Sequence, residues 1–247
     1  MIVQYRFTLT EDSKRPLPSF WAYRLYAWLL MQIDDDYADM LHAPGEKPIS
    51  QYLYWDRNRC RNIWTVNFLD EKVASRLKGK LDSLAEISLH TGTLNAHLDT
   101  ICERTASQLI MESRQQDKAR RTVIRFMTPT AFKSNGRYAI FPQEKWLLQA
   151  LIVKWNFTFP QMPMNDIDAF GLLVQGLHIT DYSLRTMRYP LKNVKIPGFL
   201  GSITVESSLP APMEEIWHLL LCFSSYTGAG IKTTLGMGGI KIEFLRS

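Results

Sequence analysis

Ser225-Tyr-Thr-Gly-Ala-Gly-Ile-Lys-Thr-Thr-Leu-Gly-Met-Gly-Gly-Ile-Lys-Ile-Glu-Phe244 gathers Gly228, Gly230, Gly236, Gly238 and Gly239 into one short stretch. Before it runs Pro212-Met-Glu-Glu-Ile-Trp-His-Leu-Leu-Leu-Cys-Phe223, whose apolar residues suit a buried helix face. After it, Ile240, Ile242 and Phe244 alternate with Lys241 and Glu243, the pattern of a half-buried strand. The glycines therefore fall in a loop between a helix and a final strand. Glycine permits positive φ and lets a ligand or a second backbone come close. Lys232, Thr233 and Thr234 can donate to phosphate oxygens, and a concave run of N–H groups beside a lysine makes an anion site. The spacing fits neither a Walker A loop nor a dinucleotide fingerprint, because both place the helix after the glycines. Spacing alone leaves a plain glycine-rich connection equally open.

Upstream, residues 194–207 and 173–189 read as longer strands, 142–155 as a helix and 122–127 as a strand. Residues 113–121 are polar and charged without periodicity, so a linker is expected over 114–121, between domains at 1–113 and 122–247. In the first half, residues 2–10 read as a strand, and 20–33 as a helix with Phe20, Tyr23, Leu25, Leu29 and Ile33 facing a core. Residues 36–42 read as a helical turn, 49–56 and 62–69 as two strands, 71–81 as a second helix, and 84–113 as two or three short strands. Strand, helix, two strands, helix, strand is the ferredoxin-like order, and both halves repeat it without a visible sequence period. The expected class is α+β, two tandem ferredoxin-like (RRM-like) domains, each an antiparallel sheet with helices on one face.

With 247 residues the chain has room for one large or two small cores. A net charge of +5 favours an acidic partner such as nucleic acid. Cys60, Cys102 and Cys222 are odd in number and scattered, so neither a disulfide framework nor a zinc ribbon is expected, and a reducing cytoplasm fits. The N-terminus turns polar by Thr10-Glu-Asp, so no signal peptide is expected, and no apolar run reaches the roughly 18 residues of a membrane span. Asp34-Asp-Asp36 reads as a helix end followed by a new N-cap, since three adjacent carboxylates do not converge on one point. His178 and His218 read as packed, hydrogen-bonded histidines. No metal site and no cofactor are expected.

Gly198-Phe-Leu-Gly-Ser-Ile-Thr-Val-Glu206, Trp217-His-Leu-Leu-Leu-Cys-Phe223 and Tyr226-Thr-Gly-Ala-Gly-Ile-Lys-Thr-Thr-Leu-Gly-Met-Gly238 form an ordered series. It resembles the C-terminal signature of the CRISPR-associated endoribonucleases of the RAMP superfamily, which cut precursor CRISPR RNA within its repeats. The likeness continues more loosely through Thr128-Pro-Thr-Ala-Phe132, Phe141-Pro142 and Leu41-His-Ala-Pro-Gly-Glu-Lys-Pro-Ile-Ser50. It implies two ferredoxin-like domains and an RNA-binding loop containing Gly228, Gly230, Lys232, Thr233, Gly236 and Gly238.

Metal-free RNA cleavage needs a base for the 2′-hydroxyl, an acid for the leaving 5′-oxygen, and a cation for the charge on phosphorus. Histidine suits the first two roles and lysine the third. His42 and Lys47 flank a Pro-Gly turn. Family members typically have a catalytic histidine in a Leu-His…Lys-Pro loop, which Leu41-His42…Lys47-Pro48 matches, so the resemblance implies that these two act in catalysis. Some members add a tyrosine from the preceding helix. Leu30 stands at that position here, Tyr26 lies one turn earlier and Tyr37 follows, so a tyrosine role stays open. Arg57, Arg59 and Arg61 alternate, which an extended backbone would put on one side. They read either as a solvated hairpin tip or as phosphate contacts beside the catalytic loop. The expected partner is a CRISPR repeat transcript. A non-catalytic RNA-binding subunit of an effector complex is the alternative. A homodimer and effector-complex partners stay open.

Overall fold

The computed structural model describes residues 1–11, 15–34, 41, 45–116 and 119–245. It divides into two compact units. The first comprises Met1–Arg104 together with Lys232–Gly236. It opens with β1 (Ile2–Thr10), a 3-10 turn (Ser19–Trp21) and α1 (Ala22–Leu30). Then come β2 (Ile49–Asp56), β3 (Arg61–Phe68), α2 (Glu71–Asp82), β4 (Glu86–Leu89) and β5 (Gly92–Arg104). The strand order is β2-β3-β1-β5-β4, with every pairing antiparallel.

Alternation in the sequence builds this sheet. Val3, Tyr5, Phe7 and Leu9 of β1 turn to one face, with Trp64, Val66 and Phe68 of β3 and Ile49 and Leu53 of β2. Phe7 lies opposite Trp64 in the ladder, and their rings stack at 5.4 Å. Leu25, Tyr26 and Leu29 of α1 and Val73, Leu77 and Leu81 of α2 complete the core on that face. Asp70 starts α2 by accepting from the Lys72 N–H at 2.6 Å.

The second unit comprises Thr105–Ile231 and Met237–Ser247. Its elements are α3 (Ala106–Arg114), β6 (Arg121–Thr130), the small hairpin β7 (Phe132–Ser134) and β8 (Arg137–Ala139), α4 (Glu144–Thr158) and α5 (Ile167–Gly176). β9 (Leu177–Leu191), β10 (Val194–Ser207), α6 (Ala211–Thr227) and β11 (Ile240–Leu245) follow. The main sheet has the order β11-β6-β10-β9, again antiparallel throughout. Both units thus have the expected α+β, ferredoxin-like arrangement, the first with β4 added at one edge. Leu147, Leu148, Leu151 and Trp155 of α4 and Trp217, Leu220 and Phe223 of α6 are buried, and Trp155 meets Phe223 edge-on at 5.2 Å.

Two local expectations change. Residues 106–113, expected within short strands, and Arg114, expected in the linker, form α3, because Thr105 and Gln108 make a capping box: Thr105 Oγ1 accepts from Gln108 N at 3.2 Å and Gln108 Oε1 from Thr105 N at 2.9 Å. The strand expected from residue 173 starts at Leu177. Asp166 caps Asp168 and Ala169, both at 2.9 Å, and so begins α5 instead. Between β7 and β8, Asn135 and Gly136 both take positive φ, the requirement of a tight hairpin turn. No helix among the described residues is long and apolar enough to cross a membrane.

Candidate functional site

The two legs of the glycine loop are rooted in the second unit. Where α6 ends, Gly228 takes a φ of 65° and its N–H returns to Ser224 O at 2.8 Å. The buried Lys154 ammonium reaches Thr227 O at 3.4 Å. Ala229 N donates to Gly238 O at 2.9 Å, so the legs are tied to each other. They are also tied to the end of β6: Ile231 N to Ala131 O at 3.0 Å, Gly238 N to Pro129 O at 3.1 Å, and Gly239 N to Thr128 Oγ1 at 2.9 Å. Gly230 sits at φ +80°, where a Cβ would come within 2.3 Å of Ala131 O. The N–H groups of Gly228, Ala229, Ile231, Gly238 and Gly239 all donate inside the protein, so these five do not form the open anion cradle that composition suggested.

The tip, Lys232–Gly236, belongs to the first unit. Lys232 adopts a left-handed conformation with φ 57° and is exposed. A 3-10 turn over Thr233–Leu235 follows, with Thr233 buried, and Gly236 ends it at φ 98°. Leu235 packs against the first unit's core. Thr234 O accepts from Gln51 Nε2 at 2.9 Å. Gln51, only 1% exposed, also donates to Ala22 O at 2.5 Å and accepts from the Trp64 indole at 2.7 Å. Sequence reasoning missed Gln51. The available signal was an amide at the inward-facing position between Ile49 and Leu53.

Lys47 is partly buried two residues before β2. Gln51 lies four positions further on, at most about 13 Å of extended chain. Lys47 and the loop tip therefore lie toward the same end of β2. Arg57 and Arg59 do not join them. They are exposed in the turn after the strand, roughly 26 Å along β2 at its usual rise. Nor do the three arginines share a side. Asp56 Oδ1 accepts from Asn58 N at 3.1 Å and Arg59 N at 3.3 Å, and Cys60 takes φ 49°, so residues 57–60 turn instead of extending. Arg61 is already in β3, donating to Thr8 Oγ1 at 3.2 Å and lying 3.6 Å from Asp99.

His42 lies outside the described residues, as do Tyr37, Asp35 and Asp36. Tyr26 belongs to the core of the first unit, and burial pushes its hydroxyl up to about 12. Asp34 pairs with Arg76 at 2.9 Å on the surface. His178 is exposed, not packed, whereas His218 is buried as expected. His218 Nε2 lies 2.9 Å from Ala119 O and 3.1 Å from Glu214 Oε1. Burial raises the Glu214 carboxyl, but the close approach of His218, the hydrogen bond from Ser207 and the charge of Arg120 outweigh it, leaving the group below its ordinary value.

Residues 124–240 match the family model described as CRISPR-associated endoribonuclease Cas6. A curated Cas6 endoribonuclease of Streptococcus thermophilus is 30% identical over 223 residues, spanning 90% of this chain and 91% of the relative. The chain belongs to the Cas6 family of CRISPR-associated endoribonucleases. A Cas6 of Mycobacterium tuberculosis is 24% identical over 248 residues, covering 96% of this chain and 78% of the relative. Among solved structures, a Cas6 product complex superposes with a TM-score of 0.78 at 20% identity, covering 98% of this chain and all of that one. Thermus thermophilus Cas6 superposes at 0.73 with 22% identity and 98% coverage of both. These structures share the fold, and the Streptococcus relative carries the family. As a Cas6 member, the chain is an endoribonuclease of CRISPR RNA processing, and the loop Gly228–Gly239 lies within the matched region.

Proposed function

We propose that this chain cuts precursor CRISPR RNA within its repeats without a metal ion. The ribose 2′-hydroxyl attacks the adjacent phosphorus, the bond to the 5′-oxygen breaks, and the upstream fragment keeps a 2′,3′-cyclic phosphate, which one water molecule opens to a 3′-phosphate where hydrolysis follows. His42 moves the proton, either from the 2′-hydroxyl or to the departing 5′-oxygen. Lys47 offsets the charge that builds on the phosphoryl oxygens. Lys232, beside Thr233 and Gly236, holds a backbone phosphate near the cut. Gly228, Gly230 and Gly238 serve that contact indirectly, by shaping the legs of the loop. Arg57 and Arg59, at the other end of β2, meet phosphates well away from the scissile bond.

The observation that most supports this reading is the hydrogen bond from Gln51 to Thr234 O, which holds the loop tip toward the β2 end that Lys47 precedes. Two stretches singled out for separate chemical reasons thus meet in one unit. Single-turnover cleavage of labelled repeat RNA by His42→Ala tests the assignment. The rate should drop about 100- to 10,000-fold, the usual range for one acid–base group, with RNA affinity little changed. A wild-type rate would remove His42 from the chemistry.

A further inference from the structure

Gln51 is a polar side chain in an apolar position. It faces the helices between Ile49 and Leu53, and it is 1% exposed. A buried amide is tolerated only when its groups are paired. Its orientation here follows from chemistry. The Trp64 indole N–H can only donate, so the oxygen of Gln51 must face it, at 2.7 Å. The amide nitrogen is then left to donate to Ala22 O and Thr234 O, at 2.5 and 2.9 Å. The three partners come from β3, the first residue of α1 and the glycine-loop tip. The first two lie close to Gln51 in the folded core. The third arrives from 183 positions away in sequence.

An aliphatic residue of the same size would fill this position without requiring three partners. What it would lack is a grip on the main chain of the loop. Asparagine would fall one methylene short, and glutamate would set a carboxylate against two carbonyl oxygens. The tip has a second attachment in Leu235, which packs on the same core. Two residues before the gripped carbonyl, Lys232 is exposed in a left-handed conformation, and Leu235 N bonds back to its carbonyl at 2.9 Å. Fixing Thr234 O therefore fixes the short turn that presents Lys232.

We infer that Gln51 is a positioning residue for the RNA contact: through the carbonyl of Thr234 it sets where Lys232 meets phosphate. The inference rests on the reading that the glycine loop holds RNA. It concerns a residue that touches no substrate and that acts only through the loop.

The experiment uses the full-length protein with Gln51→Met, Lys232→Ala and the double variant. Amide hydrogen exchange without RNA and the salt dependence of repeat-RNA binding are both measured. With Gln51→Met, exchange across residues 231–236 should quicken about two- to tenfold, the effect of losing one ordinary hydrogen bond, while α2 is unchanged. The slope of log affinity against log salt should become shallower by about one, as for Lys232→Ala, and the double variant should lose no more than either single one. Unchanged exchange over 231–236 would overturn the grip itself. Additive effects of the two substitutions would overturn the link to Lys232. An unchanged slope for Lys232→Ala, with quickened exchange in Gln51→Met, would instead overturn the RNA role of the loop and the positioning role with it. Should Gln51→Met fail to fold, Gln51→Asn keeps a neutral amide but falls one methylene short of Thr234 O, and it should give the same exchange and slope changes.

Discussion

Replacing Gly230 by alanine separates two costs that a glycine can hide. The first is backbone strain. Gly230 has φ +80°, and an L-residue held there is strained by about 1–2 kcal/mol. The second is space. An added Cβ would stand 2.3 Å from Ala131 O and 3.2 Å from its carbon, and that oxygen already accepts from Ile231 N at 3.0 Å. Relieving the clash means moving one main-chain segment off the other and weakening a hydrogen bond, which costs about 1–3 kcal/mol more. Gly136 is the control, because its φ of +75° is nearly the same and nothing lies within 4 Å of its would-be Cβ. It also belongs to the same unit. Strain cancels between Gly230→Ala and Gly136→Ala, and the difference reports the close approach alone. Urea denaturation should show Gly230→Ala less stable by about 1–3 kcal/mol, and calorimetry should place its midpoint roughly 2–12 °C lower. Equal stability of the two variants would refute the tight seating of the loop on the end of β6.

Two further outcomes follow from the site geometry. Lys232→Ala should weaken binding of repeat RNA and reduce the salt slope by about one, and an unchanged slope would return the loop to a structural role. Glu214 is held below its ordinary value of 4.5, so its contribution to stability is present above that pH and is lost as pH falls through the lowered folded value. Melting temperatures of wild type and Glu214→Gln should converge on acidification below 4.5, and a constant gap down to acid pH would contradict the assignment.

Most strands of the two main sheets and the helices at residues 22–30, 71–82, 144–158 and 211–227 were legible because burial on one face writes a period into the sequence. β1 alternates Val3, Tyr5, Phe7 and Leu9 into the core, and this survives any uncertainty about partners. Helices α3 and α5 were missed although Thr105 and Asp166 are helix-starting caps: α3 is short and half polar, and α5 has apolar Ile167 and Leu172 on its exposed side as well as Leu173 in the core. The arginines at 57 and 59 misled because spacing assumes an extended chain, and Asp56 turns it. Glycine density marked the loop correctly, but it could not say which N–H groups were already engaged. That depends on Thr128, Pro129 and Ala131, distant in sequence. Gln51 broke the alternation as an amide on the inward face between Ile49 and Leu53, but what it does depends on a partner at Thr234, distant in sequence.

Labelled repeat RNA incubated with the protein in EDTA, with the product ends mapped, tests the central claim most directly. Cleavage should proceed, leave a cyclic phosphate or 3′-phosphate upstream of the cut, and stop when the single 2′-hydroxyl at that position is replaced by hydrogen. Tight binding without cleavage, or cleavage that vanishes in EDTA and returns with a divalent cation, would contradict it.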